Sequence, residues 1–142
     1  MVPGSKGRQV YVRFHHRIDE ALTTASEQTG FKRATLATWI IERHVDRLRR
    51  LQRLSSIRLH EDKPAMTTNE WLGLSPAAEL YALKIGRSAG HAPRATGKPM
   101  VLTLSPATES QLRLLAELNE MSVNHLRSAI VATFLINRGI LQ

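Results

Sequence analysis

Gln9, Tyr11 and Arg13 stand at every second position and alternate with Val10, Val12 and Phe14. That spacing places three polar or amphipathic side chains on one face of a strand and three apolar ones on the other. Arg carries parallel N–H donors in a fixed fork, and Gln sets a donor beside an acceptor. Such groups recognise an edge with a fixed donor and acceptor pattern, and they break no bonds. Bond-making chemistry has little support elsewhere. There is no cysteine, which removes disulfides, thiolate metal sites and a cysteine nucleophile. Of the six histidines, His15 and His16 are neighbours at a strand end, where adjacent side chains point to opposite sides. His44 falls on an apolar helix face, and His60, His91 and His125 lack acidic partners at ligand spacing. Neither a nucleophile motif nor a phosphate-cradling glycine loop is present. The expectation is a protein without enzymatic activity, cofactor or metal.

The charge balance points to a polyanionic partner. The chain of 142 residues has a formal net charge of +8. Residues 1–53 carry 11 Lys or Arg against 5 Asp or Glu, while residues 54–97 (5 against 4) and 98–142 (4 against 3) are each +1. The excess is thus an N-terminal property, and the cluster Arg43, Arg47, Arg49, Arg50 and Arg53 reads either as a solvated helix face or as part of that polyanion surface. At 42% hydrophobic residues the chain can build a core. No run is long enough to span a membrane, and the N-terminus lacks a signal-peptide apolar segment, so a soluble, cytoplasmic protein is expected.

Sliding the chain by 90 residues reveals a repeat of pattern. Val10, Val12 and Phe14 fall on Met100, Leu102 and Leu104; Leu22 falls on Leu112, Phe31 on Met121 and Leu36 on Leu126. Ile40 and Ile41 fall on Ile130 and Val131, and Val45 on Leu135; Ile18/Thr108 and His44/Phe134 are the imperfect matches. Each copy begins with period-2 spacing and then turns helical. In the first, Ile18, Leu22 and Ala25 make a helical stripe that stops at Gly30, which tolerates positive φ. In the second, Ser105 caps a helix with Pro106 at its first position, and Leu112, Leu115 and Leu118 form the stripe. Second helices are expected over Arg33–Ser56, with Leu36, Ile40, His44 and Leu48 on one face, and over Val123–Asn137. The latter follows the cap Ser122, carries Leu126, Ile130 and Phe134 on one face and stops at Gly139. A lone strand has no partner for its backbone groups, so the economical solution pairs the two strands antiparallel over four interlocked helices.

With these motifs, Gln9-Val10-Tyr11-Val12-Arg13-Phe14 leading to a helix that ends at Gly30, and Ser122-Val123-Asn124 opening the last helix, the chain resembles the ribbon-helix-helix family of DNA-binding proteins typified by Arc and MetJ. The resemblance covers about 90 of 142 residues. Two copies in one chain are similar to TraY-type accessory proteins of conjugative plasmids. It implies a mainly α fold with a two-stranded antiparallel β-ribbon, a tandem ribbon-helix-helix forming an intramolecular pseudo-dimer. The divisions are 1–57 for the first half, 58–97 for a partly helical linker or strap, and 98–142 for the second half.

Such a ribbon fits the major groove of B-DNA, about 12 Å wide. Gln9, Tyr11 and Arg13 are the expected base contacts of the first strand, with Arg suited to guanine and Gln to adenine. The second strand offers only Val101 and Thr103, so readout should be lopsided and the site asymmetric. Phosphates are expected at the starts of the second helices, at Lys32, Arg33 and Ala34 and at Ser122, Val123 and Asn124, where free N–H groups and the helix dipole favour anions. Lys6, Arg8 and Lys98 would add backbone contacts without sequence preference. In the middle segment, Ser75-Pro76 through Gly86 reads as a short helix, residues 87–98 read as a tether, and Trp71, Leu72 and Leu74 need cover. That segment is either a strap across the core or a surface for another protein. Two functions compete: a sequence-specific double-stranded DNA-binding protein, as a relaxosome accessory factor working with a relaxase or as a transcriptional repressor, and an antitoxin-like or assembly module acting through residues 58–97. Assembly is expected as a monomeric pseudo-dimer or as a higher complex on DNA.

Overall fold

Alternation at the front of the chain builds β1 (Arg8–Val12), in which Val12 is buried and Val10 half-buried while Gln9 and Tyr11 face outward. Phe14, just past the strand, is fully buried. The computed structural model describes residues 8–57, 72–78, 81 and 99–142, with side chains from residue 9 to residue 50 and from residue 72 onward within that set. Lys6, Lys98, Trp71, the side chains of Arg8 and Arg53, the tether 87–98 and the helix expected beyond Ala78 lie outside the described residues. α1 (His16–Thr29) and α2 (Arg33–Ile57) follow, then a 3₁₀ turn at Pro76–Ala78, β2 (Met100–Leu104), α3 (Pro106–Leu118) and α4 (Val123–Asn137). Among the described residues the protein is therefore mainly helical, with one two-stranded antiparallel sheet.

The helix boundaries follow from local chemistry. Gly30 ends α1 in the left-handed region at φ 81°, its N–H bonded to the Ser26 carbonyl at 2.8 Å. Ser105 caps α3, accepting from Thr108 N–H at 3.2 Å, with Pro106 in the first turn where a missing N–H costs nothing. Ser122 caps α4 by accepting from His125 N–H at 3.0 Å. At α1 the cap is His15, whose Nδ1 accepts from Arg17 N–H at 3.1 Å. That corrects the expectation for the histidine pair. His15 sits beyond the strand and His16 opens the helix, so their rings do not diverge but stack with centroids 4.4 Å apart.

β1 and β2 pair with Gln9 opposite Thr103, Val10 opposite Leu102, Tyr11 opposite Val101 and Val12 opposite Met100. The ladder ends at Val12, and the next position along β2 is Pro99, which has no N–H to donate. The inner face of this ribbon lies on a core of Phe14, Ile18, Leu22, Ile41, Leu102, Leu104, Leu112, Leu126, Ile130 and Leu135, all essentially free of solvent contact. α2 packs on β2 and on the other three helices, and α4 packs on α1, α2 and α3.

α4 departs from the one-faced pattern expected of it. Every residue from Leu126 to Thr133 is buried, including Arg127 and Ser128, while Phe134 is only half-buried. The helix runs through the centre of the protein and so lacks a solvated face along most of its length. Arg127 meets the buried Glu109 of α3 at 2.5 Å, and Arg113 reaches the same carboxylate from the surface at 3.2 Å. A buried cation is tolerable only with such a partner. Leu72, Leu74, Ala78 and Tyr81 from the middle segment are buried too. His44 holds the Leu72 carbonyl at 2.8 Å, and Ser75 N–H donates to the Thr133 hydroxyl at 3.0 Å.

Candidate nucleic-acid interface

The outer face of the ribbon carries rows of directly opposed residues: Gln9 with Thr103, then Tyr11 with Val101. Arg13 follows just past the end of β1. All five side chains are exposed, Tyr11 at 78% and Val101 at 37% of their full surface. Gln9 and Tyr11 thus share one outer surface with Thr103 and Val101, and the exposed Arg13 continues the row just beyond the sheet. Arg13 makes no ion pair with a described residue. β2 supplies a methyl surface and one hydroxyl at the same level, so the two strands of the ribbon are chemically unequal.

The first turn of α2 flanks this face. Ala34, Thr35, Thr38, Trp39 and Glu42 border, with Val101 and Thr103, a shallow cleft of about 440 Å³. The first bond within α2 runs from Leu36 N–H to the Lys32 carbonyl at 2.9 Å, which leaves the N–H groups of Arg33, Ala34 and Thr35 ahead of the helix ladder. Lys32 is exposed beside them. Arg33 is disposed differently from the sequence expectation: its guanidinium binds the Asp19 carboxylate of α1, so its charge is already matched within the protein. Its backbone remains at the helix start, but the cation there is Lys32. At α4, Ser122 Oγ takes the His125 N–H, and the Val123 and Asn124 N–H groups precede the first intrahelical bond, Leu126 N–H to Ser122 carbonyl at 3.1 Å.

The arginines of α2 divide in the same way. Arg50 pairs with Asp46 at 2.6 Å, and Arg43 lies over the Trp39 ring at 5.0 Å. Arg47 is exposed and Arg49 half-buried. Both interactions are solvent-facing and stabilise little by themselves. They leave most of the positive charge accessible.

Spacing did not reveal the contact that locks α3 against α2. Glu42 Oε2 accepts from the Ser105 N–H at 2.6 Å, and Oε1 accepts from the Ser105 hydroxyl at 3.2 Å and the Thr108 hydroxyl at 2.5 Å. A carboxylate at the first turn of α3 also suits the helix dipole. Glu42 is half-buried, and neither its own helix pattern nor the Ser105 cap marked it as a partner. Burial holds the His44 imidazole below its ordinary value of 6.5, and the nearby Arg47 charge acts in the same direction against the Leu72 carbonyl. Among the described residues no group of three or more His, Asp or Glu could hold a metal ion. None of the described helices is long and apolar enough to cross a membrane. No protein-family model, no curated protein and no solved structure matches the chain.

Proposed function

We propose that the chain is a single-chain ribbon-helix-helix protein that reads double-stranded DNA through the major groove. The observation that carries this reading is the exposed row Gln9, Tyr11 and Arg13 on a two-stranded ribbon whose opposite face is buried in the core. Two further relations support a duplicated architecture. The first helices start at His16 and Pro106 and the second at Arg33 and Val123, each pair 90 positions apart. The ribbon register places Tyr11 opposite Val101, again 90 apart, so exchanging the two halves maps the pairing onto itself. That is the relation two identical chains have in a dimer with twofold symmetry.

In the groove, Arg13 donates to O6 and N7 of a guanine, and Gln9 pairs with N6 and N7 of an adenine. Tyr11 contacts a phosphate or a thymine methyl. Thr103 and Val101 give one hydroxyl and one methyl surface to the other half-site. Phosphates sit at the first turns of α2 and α4, fixing the register of the ribbon without reading sequence. Since the two strands differ, the target is asymmetric. Its biological setting is either marking a plasmid transfer origin alongside a relaxase, as for the TraY-type proteins it resembles, or transcriptional repression in the cytoplasm.

Selection from a random duplex pool at stated salt tests the reading. The expected result is one enriched motif without internal twofold symmetry, bound by the full chain. A pool that emerges unenriched, or affinity that depends only on duplex length and ionic strength, overturns sequence-specific recognition.

A further inference from the structure

A second surface shares Trp39 with the ribbon-side cleft and extends from it towards the ends of α1 and α4. Phe31, Trp39, Ile40, Phe134 and Ile140 line a groove of about 420 Å³ between the end of α1, α2 and the end of α4, with Arg138 at its side. Phe31 is 58% and Trp39 44% exposed, although Trp39 packs edge-on against Phe134 with centroids 5.6 Å apart. The Arg138 guanidinium stands over the Phe134 ring at 4.9 Å and that of Arg43 over Trp39 at 5.0 Å, and no acidic residue lines the groove. It is an apolar trough with a cationic rim.

The molecule shows what fits such a place. On the duplicated-halves reading above, on which this inference rests, Phe134 and Arg138 correspond to His44 and Leu48, 90 positions earlier. That corresponding place is covered by the chain itself. Leu72 binds His44 through its carbonyl, and a Cβ built on Gly73 would lie 3.6 Å from the His44 ring and 3.9 Å from Leu48. Leu72 and Leu74 on either side are buried. The described covering residues are Leu72 to Ala78, and in the sequence Glu70 and Glu79 stand on either side of them. Gly73 also borders Phe134 and Arg138 across a shared cleft, yet Phe134 stays half-buried and Arg138 exposed.

The geometry points to the Phe31–Trp39–Phe134 groove as a docking site for an acidic, leucine-bearing peptide segment of a partner protein, whose apolar contacts follow those of Leu72 and Leu74 without the carbonyl bond that His44 makes, since Phe134 offers no donor. The leucines fill the trough, and the flanking carboxylates face Arg138 and Arg43.

The probe is a labelled synthetic peptide of residues 70–79, titrated by fluorescence anisotropy into the full-length protein without DNA. Saturable binding is expected, weakened about tenfold or more by Phe31→Glu, by Arg138→Glu, or by lysine at both acidic positions of the peptide. Gln9→Ala leaves it unchanged, and Arg138→Glu, at the far end of α4, leaves DNA binding by the ribbon unchanged, so failure of either site is read separately. Both substituted positions are exposed, and circular dichroism melting checks that each variant folds. Absent binding, or binding indifferent to both protein substitutions, overturns the proposal. So does a dimer in sedimentation that Phe31→Glu dissociates, because the occupant is then a second copy of the chain.

Discussion

Arg13 has its guanidinium in solvent and no carboxylate among the described residues in ion-pair range, so all of its donors are available to a base edge. Arg33 has the same side chain and is tied to Asp19. Residue type alone therefore ranks the cations poorly. Replacing Arg13 with Ala should cost about 1–3 kcal/mol on the selected site, roughly 5–150-fold in Kd, and far less on unrelated duplex. Anisotropy at one fixed salt concentration measures both. His44 makes a different single-residue prediction. Its pKa is lowered by burial, so the folded protein holds it neutral while the unfolded chain takes a proton as pH falls through 6.5. Stability should then decline from about pH 6.5 down to the lowered folded value, by at most about 1.4 kcal/mol per pH unit, and this contribution is constant above that range. Urea unfolding at pH 7.5 and pH 5.5 should show a smaller difference for His44→Gln than for the unsubstituted protein.

At the level of elements, Glu42 ties α2 to the first turn of α3 beside the apolar core that both helices share. Glu42→Ala leaves the Ser105 N–H and the Thr108 hydroxyl without their acceptor, and Thr108 is buried. The expected loss is about 2 kcal/mol, seen as a Tm lower by about 4–8 °C. A Tm within about 1 °C of the parent would show that water replaces the carboxylate without penalty. The contrast with the helix boundaries is instructive. Gly30, Ser105-Pro106 and Ser122 act within four residues of themselves, so their effect is written in adjacent letters and was legible. The strand pairing was legible for a similar reason, because only two segments have period-2 spacing. Glu42 with Ser105, Asp19 with Arg33 and Glu109 with Arg127 join positions 14 to 63 residues apart, and no local rule distinguishes them from solvated charges. The exposure of Phe31 was hidden likewise: a helix-flanking aromatic is apolar in pattern whether or not a neighbour arrives to cover it.

Across the whole molecule, the unequal ribbon and the uneven charge point the same way. Residues 1–53 hold +6 of the +8 net charge and contribute Gln9, Tyr11 and Arg13, whereas the second half contributes Val101 and Thr103. On the proposed reading, one half would supply most of the electrostatic attraction and most of the hydrogen-bonded readout, and the protein should dock on DNA in a single orientation. A symmetric dimer has no such preference, because both orientations are the same complex. The asymmetry can be undone at one position. Thr103 stands 90 residues after Arg13 and is exposed on the same outer face, so Thr103→Arg gives the second strand the side chain that the first already has. Glu42 nearby has its oxygens committed to Ser105 and Thr108 and is a weak competitor for the new guanidinium. Selection with this variant should return a motif in which the guanine read by Arg13 reappears, inverted, in the other half-site. On that mirrored site the variant should bind about 5–150-fold tighter than the parent, the worth of one bidentate contact. A motif that stays unchanged in its second half would mean that β2 does not enter the groove beside β1, and the ribbon would then have to approach DNA by one strand alone.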